Sequence, residues 1–138
     1  MFYTCCASAA SHLLTRAELR AMLEEYRRIN ADLDITGMLL YKEGAFLQVL
    51  EGKPEAVMKV IKLIKEDPRF TLFEIVLIGT SGQRLFPDWS MGFRDPTDRS
   101  LAETPGYSDF LNTPFTGAEF SGDPAPCLKL LLSFKNYM

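Results

Sequence analysis

Ile35-Thr36-Gly37-Met38-Leu39-Leu40-Tyr41, then Lys42-Glu43-Gly44, then Ala45-Phe46-Leu47-Gln48-Val49-Leu50-Glu51-Gly52 is the stretch on which the fold turns. Two apolar runs joined by a short segment ending in Gly read as a β-hairpin. Neither run alternates between apolar and polar residues, so both faces of this hairpin need cover. Upstream, Thr15-Arg16-Ala17-Glu18 matches a capping box, with Thr15 as N-cap and Glu18 at the third helical position. Leu19, Met22, Leu23, Tyr26 and Ile29 then repeat at helical spacing, which predicts an amphipathic helix ending near Asn30. Phe2 to Ser8 reads as a first strand. Downstream, Gly52 stops the hairpin and Pro54 suits a helix's first turn. Val57, Val60, Ile61 and Ile64 form a second stripe, and Asp67-Pro68 ends it. Phe73 to Ile78 predicts a fourth strand and Trp89 to Phe93 a short fifth.

The order β-α-β-β-α-β-β predicts an α+β domain of ferredoxin-like type, with two helices on one face of the sheet. A C-terminal helical extension is expected on the other face. The domain is expected to span residues 1–94. Residues 95–138 read as an arm: Asp95 to Gly122 is rich in Pro, Gly, Ser and Thr, with one short helix around Ser108 to Leu111. Asp123-Pro124 opens a last helix carrying Leu128, Leu131 and Leu132 on one side.

With 138 residues, 47% hydrophobic and 24% charged, the chain has the balance of one globular domain. A net charge of −3 argues against a general nucleic-acid binder. No run approaches the roughly 20 apolar residues of a membrane span, and the N-terminus has no basic segment of a signal peptide. Three cysteines, two of them adjacent (Cys5 and Cys6), do not make a disulfide framework. Reduced thiols and a cytoplasmic setting are the simpler expectation.

Familiar catalytic signatures are missing. There is no phosphate loop, no dinucleotide fingerprint and no paired-histidine metal motif, so a freestanding enzyme is disfavoured. His12, the single histidine, is expected to play a surface or capping role. Gln48 stands out because it interrupts an otherwise apolar strand. A buried amide must be paired or cost about 1–3 kcal/mol. Neighbouring backbone could satisfy it, or it could be aimed at a polar ligand between helices and sheet. Asn30 reads most simply as a helix C-terminal residue, and Trp89 and Met91 as core packing.

Four segments in register change that picture. Ile35–Tyr41 and Gly44–Gly52 of the hairpin, the helix exit Asp67-Pro68-Arg69 and the later Phe86-Pro87-Asp88-Trp89-Ser90-Met91 together resemble the BLUF family, flavin-based blue-light sensors. The match covers residues 1 to about 94, and the tail resembles that of short, stand-alone members. The resemblance implies FAD held between the two helices. It assigns Asn30 to the flavin edge, where a carboxamide donates to O4 and accepts from N3–H. Gln48 becomes the switch glutamine, with Trp89 and Met91 as residues that exchange places beside it. Asp67 and Arg69 match polar positions near the ring and ribityl chain, and Met22 and Phe46 belong to the ring's surroundings. It further implies self-association and an unidentified downstream partner protein.

The chain departs from the family at Cys6. The family has a tyrosine two residues before a serine, which here is Ser8. Counting from Cys6 to Asn30 and from Asn30 to Gln48 needs no gap, which supports this register. Tyr3 cannot substitute, since an odd offset along a strand points it to the other face. A thiol is a weak donor, and its sulfur lies roughly 3 Å from Cα against about 6.5 Å for a phenol oxygen. The expectation is a FAD-binding blue-light module, signalling through hydrogen-bond rearrangement, with an altered or impaired photocycle. The alternative is a degenerate interaction module that no longer responds to light.

Overall fold

The structure, a computed structural model, describes residues 1–42 and 44–87. The elements are β1 (Phe2–Ala10), α1 (Arg16–Asp32), β2 (Thr36–Lys42), β3 (Ala45–Gly52), α2 (Pro54–Glu66) and β4 (Phe70–Thr80). The predicted fifth strand, the arm at 95–138 and its helices lie outside the described residues.

The hairpin forms as its pattern requires: Lys42 pairs with Ala45, and Gly44 closes the turn with φ 85°, a region that favours glycine. The four strands run in the order β2-β3-β1-β4, and every neighbouring pair is antiparallel. Chain order and spatial order therefore differ by the ferredoxin-like crossovers: α1 carries the chain over β3 and α2 carries it over β1.

Both helices pack on one face of the sheet. Leu19, Met22, Leu23 and Tyr26 of α1 and Val57, Val60, Ile61 and Ile64 of α2 join Cys6, Leu39, Phe46 and Leu50 in one hydrophobic cluster. The even-numbered residues of β3 thus face the helices. The odd-numbered ones face away, yet Cys5, Met38, Leu40, Leu47 and Val49 on that side are buried as well. This is why the hairpin reads as continuously apolar. Gly37 marks a close approach within the sheet: a Cβ there would overlap the carbonyl oxygen of Val49.

The capping box of α1 is present, with both reciprocal bonds between Thr15 and Glu18. The helix ends two residues later than its stripe suggests. It runs to Asp32, with Leu33 as C-cap, and Asp34 takes the left-handed φ of 54°. Strand β4 starts at Phe70, three residues earlier than expected, and carries two irregularities against β1, one between Cys5 and Cys6 and one between Ala7 and Ala9. Leu72, with φ 52°, sits in the second.

Candidate functional site

The helix-facing side of the sheet carries one continuous row: Leu39 on β2, Gln48 on β3 and Cys6 on β1 stand directly opposite one another. Gln48 is buried at 4% exposure and Cys6 at 1%. The thiol of Cys6 is hydrogen-bonded to Thr4 Oγ1, 3.7 Å away and two residues along the same strand. Burial pushes this thiol's pKa up, against the opposing pulls of the Thr4 contact and the Lys65 charge. It is a neutral thiol turned along its own strand. Tyr3 pairs with Glu51 and Gly79 on the opposite face, as its odd offset requires. One of the two β4 irregularities falls at Cys6, a placement common beside functional sites.

Asn30 lies one turn after Tyr26 on the inner side of α1 and is 1% exposed. Its backbone carbonyl accepts from the amide of Ile35 at 2.8 Å, closing the helix end. Its side chain does not cap. Neither Oδ1 nor Nδ2 has a hydrogen-bond partner. A buried amide left wholly unpaired costs about 1–3 kcal/mol, so the fold tolerates a penalty here that a ligand would remove. What it calls for is a polar edge that presents an acceptor and a donor side by side. An isoalloxazine edge, with adjacent C=O and N–H, fits that demand.

The C-terminal half of α1 and the exit of α2 bound a cleft of about 450 Å³, lined by Tyr26, Ile29, Leu63, Asp67 and Arg69 among others. That volume lies within the range of small-molecule sites. Asp67 and Arg69 face each other there. The Arg69 Nε and Nη2 atoms donate to the Asp67 carboxylate at 2.7–3.1 Å, and the Arg69 amide adds a bond of 2.9 Å. The Tyr26 hydroxyl donates to Asp67 Oδ2 at 2.7 Å, and Arg69 also reaches Glu25 at 3.0 Å. Partial burial pushes the Asp67 carboxyl up, but the bonds from Arg69 and Tyr26 outweigh it and hold it below the ordinary carboxylate value. Burial, then the Asp67 carboxylate, raise the Tyr26 phenol well above its usual range.

The structure thus gathers Asp67 and Arg69 at the cleft and sets Gln48 and Cys6 in one row. Met22 and Phe46 are fully buried in the helix–sheet core. Phe46 packs between Tyr41 and Phe70, tilted against both, with ring centroids 4.8 and 5.0 Å away. Trp89 and Met91 lie outside the described residues. Sequence reasoning treated Tyr26 as core alone and missed its hydroxyl, for which a tyrosine in an apolar helical stripe gives no signal. His12 is exposed and pairs with Glu18 at 3.0 Å, so it braces the capping box. Among the described residues no cluster of His, Cys, Asp and Glu is suited to a metal ion, and no helix is long and apolar enough to cross a membrane.

An antiparallel ferredoxin-like sheet with two helices on one face, and a buried unpaired carboxamide on α1, characterise this small α+β domain. The chain belongs to the BLUF family, sensors of blue-light using FAD, whose pattern matches residues 1–92. It is 35% identical over 106 residues to the photoactivated adenylate cyclase subunit beta of Euglena longa, covering 76% of this chain and 12% of that protein. Among solved structures, a bacterial light-regulated adenylyl cyclase superposes with a TM-score of 0.67 at 28% identity, over 73% of this chain and 31% of the other. The photo-activated state of BlsA superposes with a TM-score of 0.66 at 26% identity, over 97% of this chain and 90% of the other. The chain therefore spans only about an eighth of the cyclase subunit's length.

Proposed function

We propose that this chain binds FAD between α1 and α2 and serves as a blue-light sensor module whose photocycle is altered by Cys6. The observation that carries the reading is the orphaned amide of Asn30. Its Nδ2 is suited to donate to the ring carbonyl and its Oδ1 to accept from the ring N–H. The flavin, when bound, supplies blue-light absorption and electron acceptance. Gln48 stands on the same helix-facing side of the sheet and would contribute the rearranging amide. Asp67, already oriented by Arg69 and Tyr26, would meet the ligand at the cleft. The nonpolar walls would come from the helix stripes, with Met22 and Phe46 behind them. Output would pass through Trp89, Met91 and the arm to a partner protein, in a cytoplasmic homo-oligomer.

Cys6 changes what the row can do. A phenol at this position would extend about 3.5 Å further than the thiol. The thiol instead bonds Thr4 and, held neutral by burial, is a poor candidate for a covalent adduct. Trp89 would then be the replacement electron donor, and a Trp89→Phe variant with unchanged light-driven flavin reduction would remove that role. The Cys6–Thr4 bond also favours a second reading, a module that holds flavin without responding to light.

The test is absorption spectroscopy of the purified protein. Flavin bands establish the pocket, and colourless protein that cannot be loaded with FAD refutes it. A reversible red shift under blue light supports sensing; its absence supports the second reading. Cys6→Tyr should bring the shift to the flavin-loaded protein.

A further inference from the structure

The cleft and the orphaned amide are not in open communication. Asn30 is 1% exposed, and it is not among the residues that line the cleft, whereas Tyr26 is. Tyr26 stands one turn earlier on the same side of α1 and belongs to the hydrophobic cluster beneath. A planar ligand that comes in by the cleft therefore meets the Tyr26 ring before it reaches the amide.

That ring is held in place. Its hydroxyl donates to Asp67 Oδ2 at 2.7 Å, and Asp67 is the C-cap of α2. The Arg69 guanidinium stands 5.8 Å from the ring centroid. Phe70 meets the ring edge-on, with centroids 5.9 Å apart and planes at 82°. The hydroxyl bond thus runs from α1 to the exit of α2, across the cleft that both border. It is also the bond at Asp67 that can open most cheaply. Arg69 reaches the same carboxylate through its backbone amide, Nε and Nη2, so Asp67 stays paired to a charged partner when the phenol leaves.

We propose that Tyr26 is a gate: its bond to Asp67 closes the cleft over the Asn30 amide, in the free protein and over a bound ligand alike, and breaks for a planar ligand to enter or leave. The identity of that ligand rests on the flavin reading above; the closure itself does not. A bond present in both end states and absent between them moves only the barrier, so it sets how fast the site exchanges its ligand and not how tightly it holds it.

Stopped-flow mixing of flavin-stripped full-length protein with FAD, followed by flavin fluorescence, tests the gate. Tyr26→Phe keeps the ring and deletes only the bond. Association and dissociation should both quicken about 5-fold, the worth of one hydrogen bond, with Kd unchanged. Unchanged rates in the variant overturn the gate. Faster dissociation alone, with a weaker Kd, makes Tyr26 a ligand contact and overturns it as well. Hydrogen exchange of the flavin-free protein is the second readout. The Asp67 and Phe70 amides, which donate to the Ile64 and Asp67 carbonyls, should be protected in the parent protein. In Tyr26→Phe they should exchange about 5-fold faster, with β1 and β3 amides unchanged. Exchange at open-loop rates in the parent protein overturns the closure even where the variant does not fold. A parent protein that takes up no FAD sinks the flavin reading instead, and the exchange rates alone then decide the closure.

Discussion

Replacing Asn30 by leucine should abolish flavin binding while relieving the flavin-free protein of a buried unpaired amide. Both amide atoms are buried and unpaired, and truncation data put the cost of such a group at about 1–3 kcal/mol. Leucine has the same branching at Cγ, removes both polar atoms and adds buried apolar surface. The extra volume opposes this by up to about 1–3 kcal/mol if the interior cannot yield. Asn30→Ala separates the two effects, because it deletes the amide without crowding. Its lost packing should be largely offset by the relief of the orphan, giving a change within about 1 kcal/mol of zero. The assay is urea unfolding of flavin-stripped protein, read as a shift in midpoint at constant slope, beside flavin retention by absorbance. If Asn30→Ala destabilises the stripped protein by more than about 2 kcal/mol, the amide is satisfied by the protein itself. Full flavin retention in either variant would refute the assignment from the other direction.

Further outcomes follow from the same geometry. Glu18 has its carboxyl lowered to about 2, by the His12 contact first and then by the Thr15 bonds, from an ordinary 4.5. Its contribution to α1 is therefore present above about pH 4.5 and lost as pH falls toward 2; the midpoint difference between parent and Glu18→Gln in urea should shrink across that window. Tyr26→Phe removes the bond to Asp67 but leaves Arg69 in place, and should cost about 1 kcal/mol in urea unfolding. Gly37→Ala sets a Cβ against the Val49 backbone, whereas at Gly79 a Cβ meets the far end of the Tyr3 ring. The first should cost well over about 3 kcal/mol and the second about 1–3 kcal/mol, compared by thermal unfolding.

The helices and the hairpin were legible because each rests on a local signal. A capping box and a 3.6-residue stripe specify α1; Gly44 and two flanking apolar runs specify the hairpin. The end of α1 was misjudged because the apolar stripe stops at Ile29, while hydrogen bonding continues to Asp32 through an asparagine whose side chain points inward. The early start of β4 escaped for a similar reason. Phe70 and Thr71 pair with Ala10 and Ala9 across an irregularity that no period-two pattern displays. In the site, Gln48 was visible as a polar residue in an apolar strand. Tyr26 was not, since a tyrosine in a helical stripe has an ordinary core explanation. Only the fold reveals that Tyr26 orients Asp67.

Cys6 and Asn30 pull the functional argument in different directions, and their energetics separate the two demands. On the proposed reading, holding a flavin uses the unpaired amide of Asn30, which costs the flavin-free protein stability, and the cleft between α1 and α2. The light response proposed above would need, in addition, a donor beside Gln48 that can give up an electron and a proton. The Cys6 thiol is buried, neutral and committed to Thr4, so it is poorly placed for that duty. A chain with no use for flavin loses little stability by giving up Asn30, as the near-zero change expected for Asn30→Ala would demonstrate. On the proposed reading, a buried unpaired amide at Asn30 together with a neutral thiol bonded to Thr4 at Cys6 fits ligand holding better than light-driven proton and electron transfer from position 6.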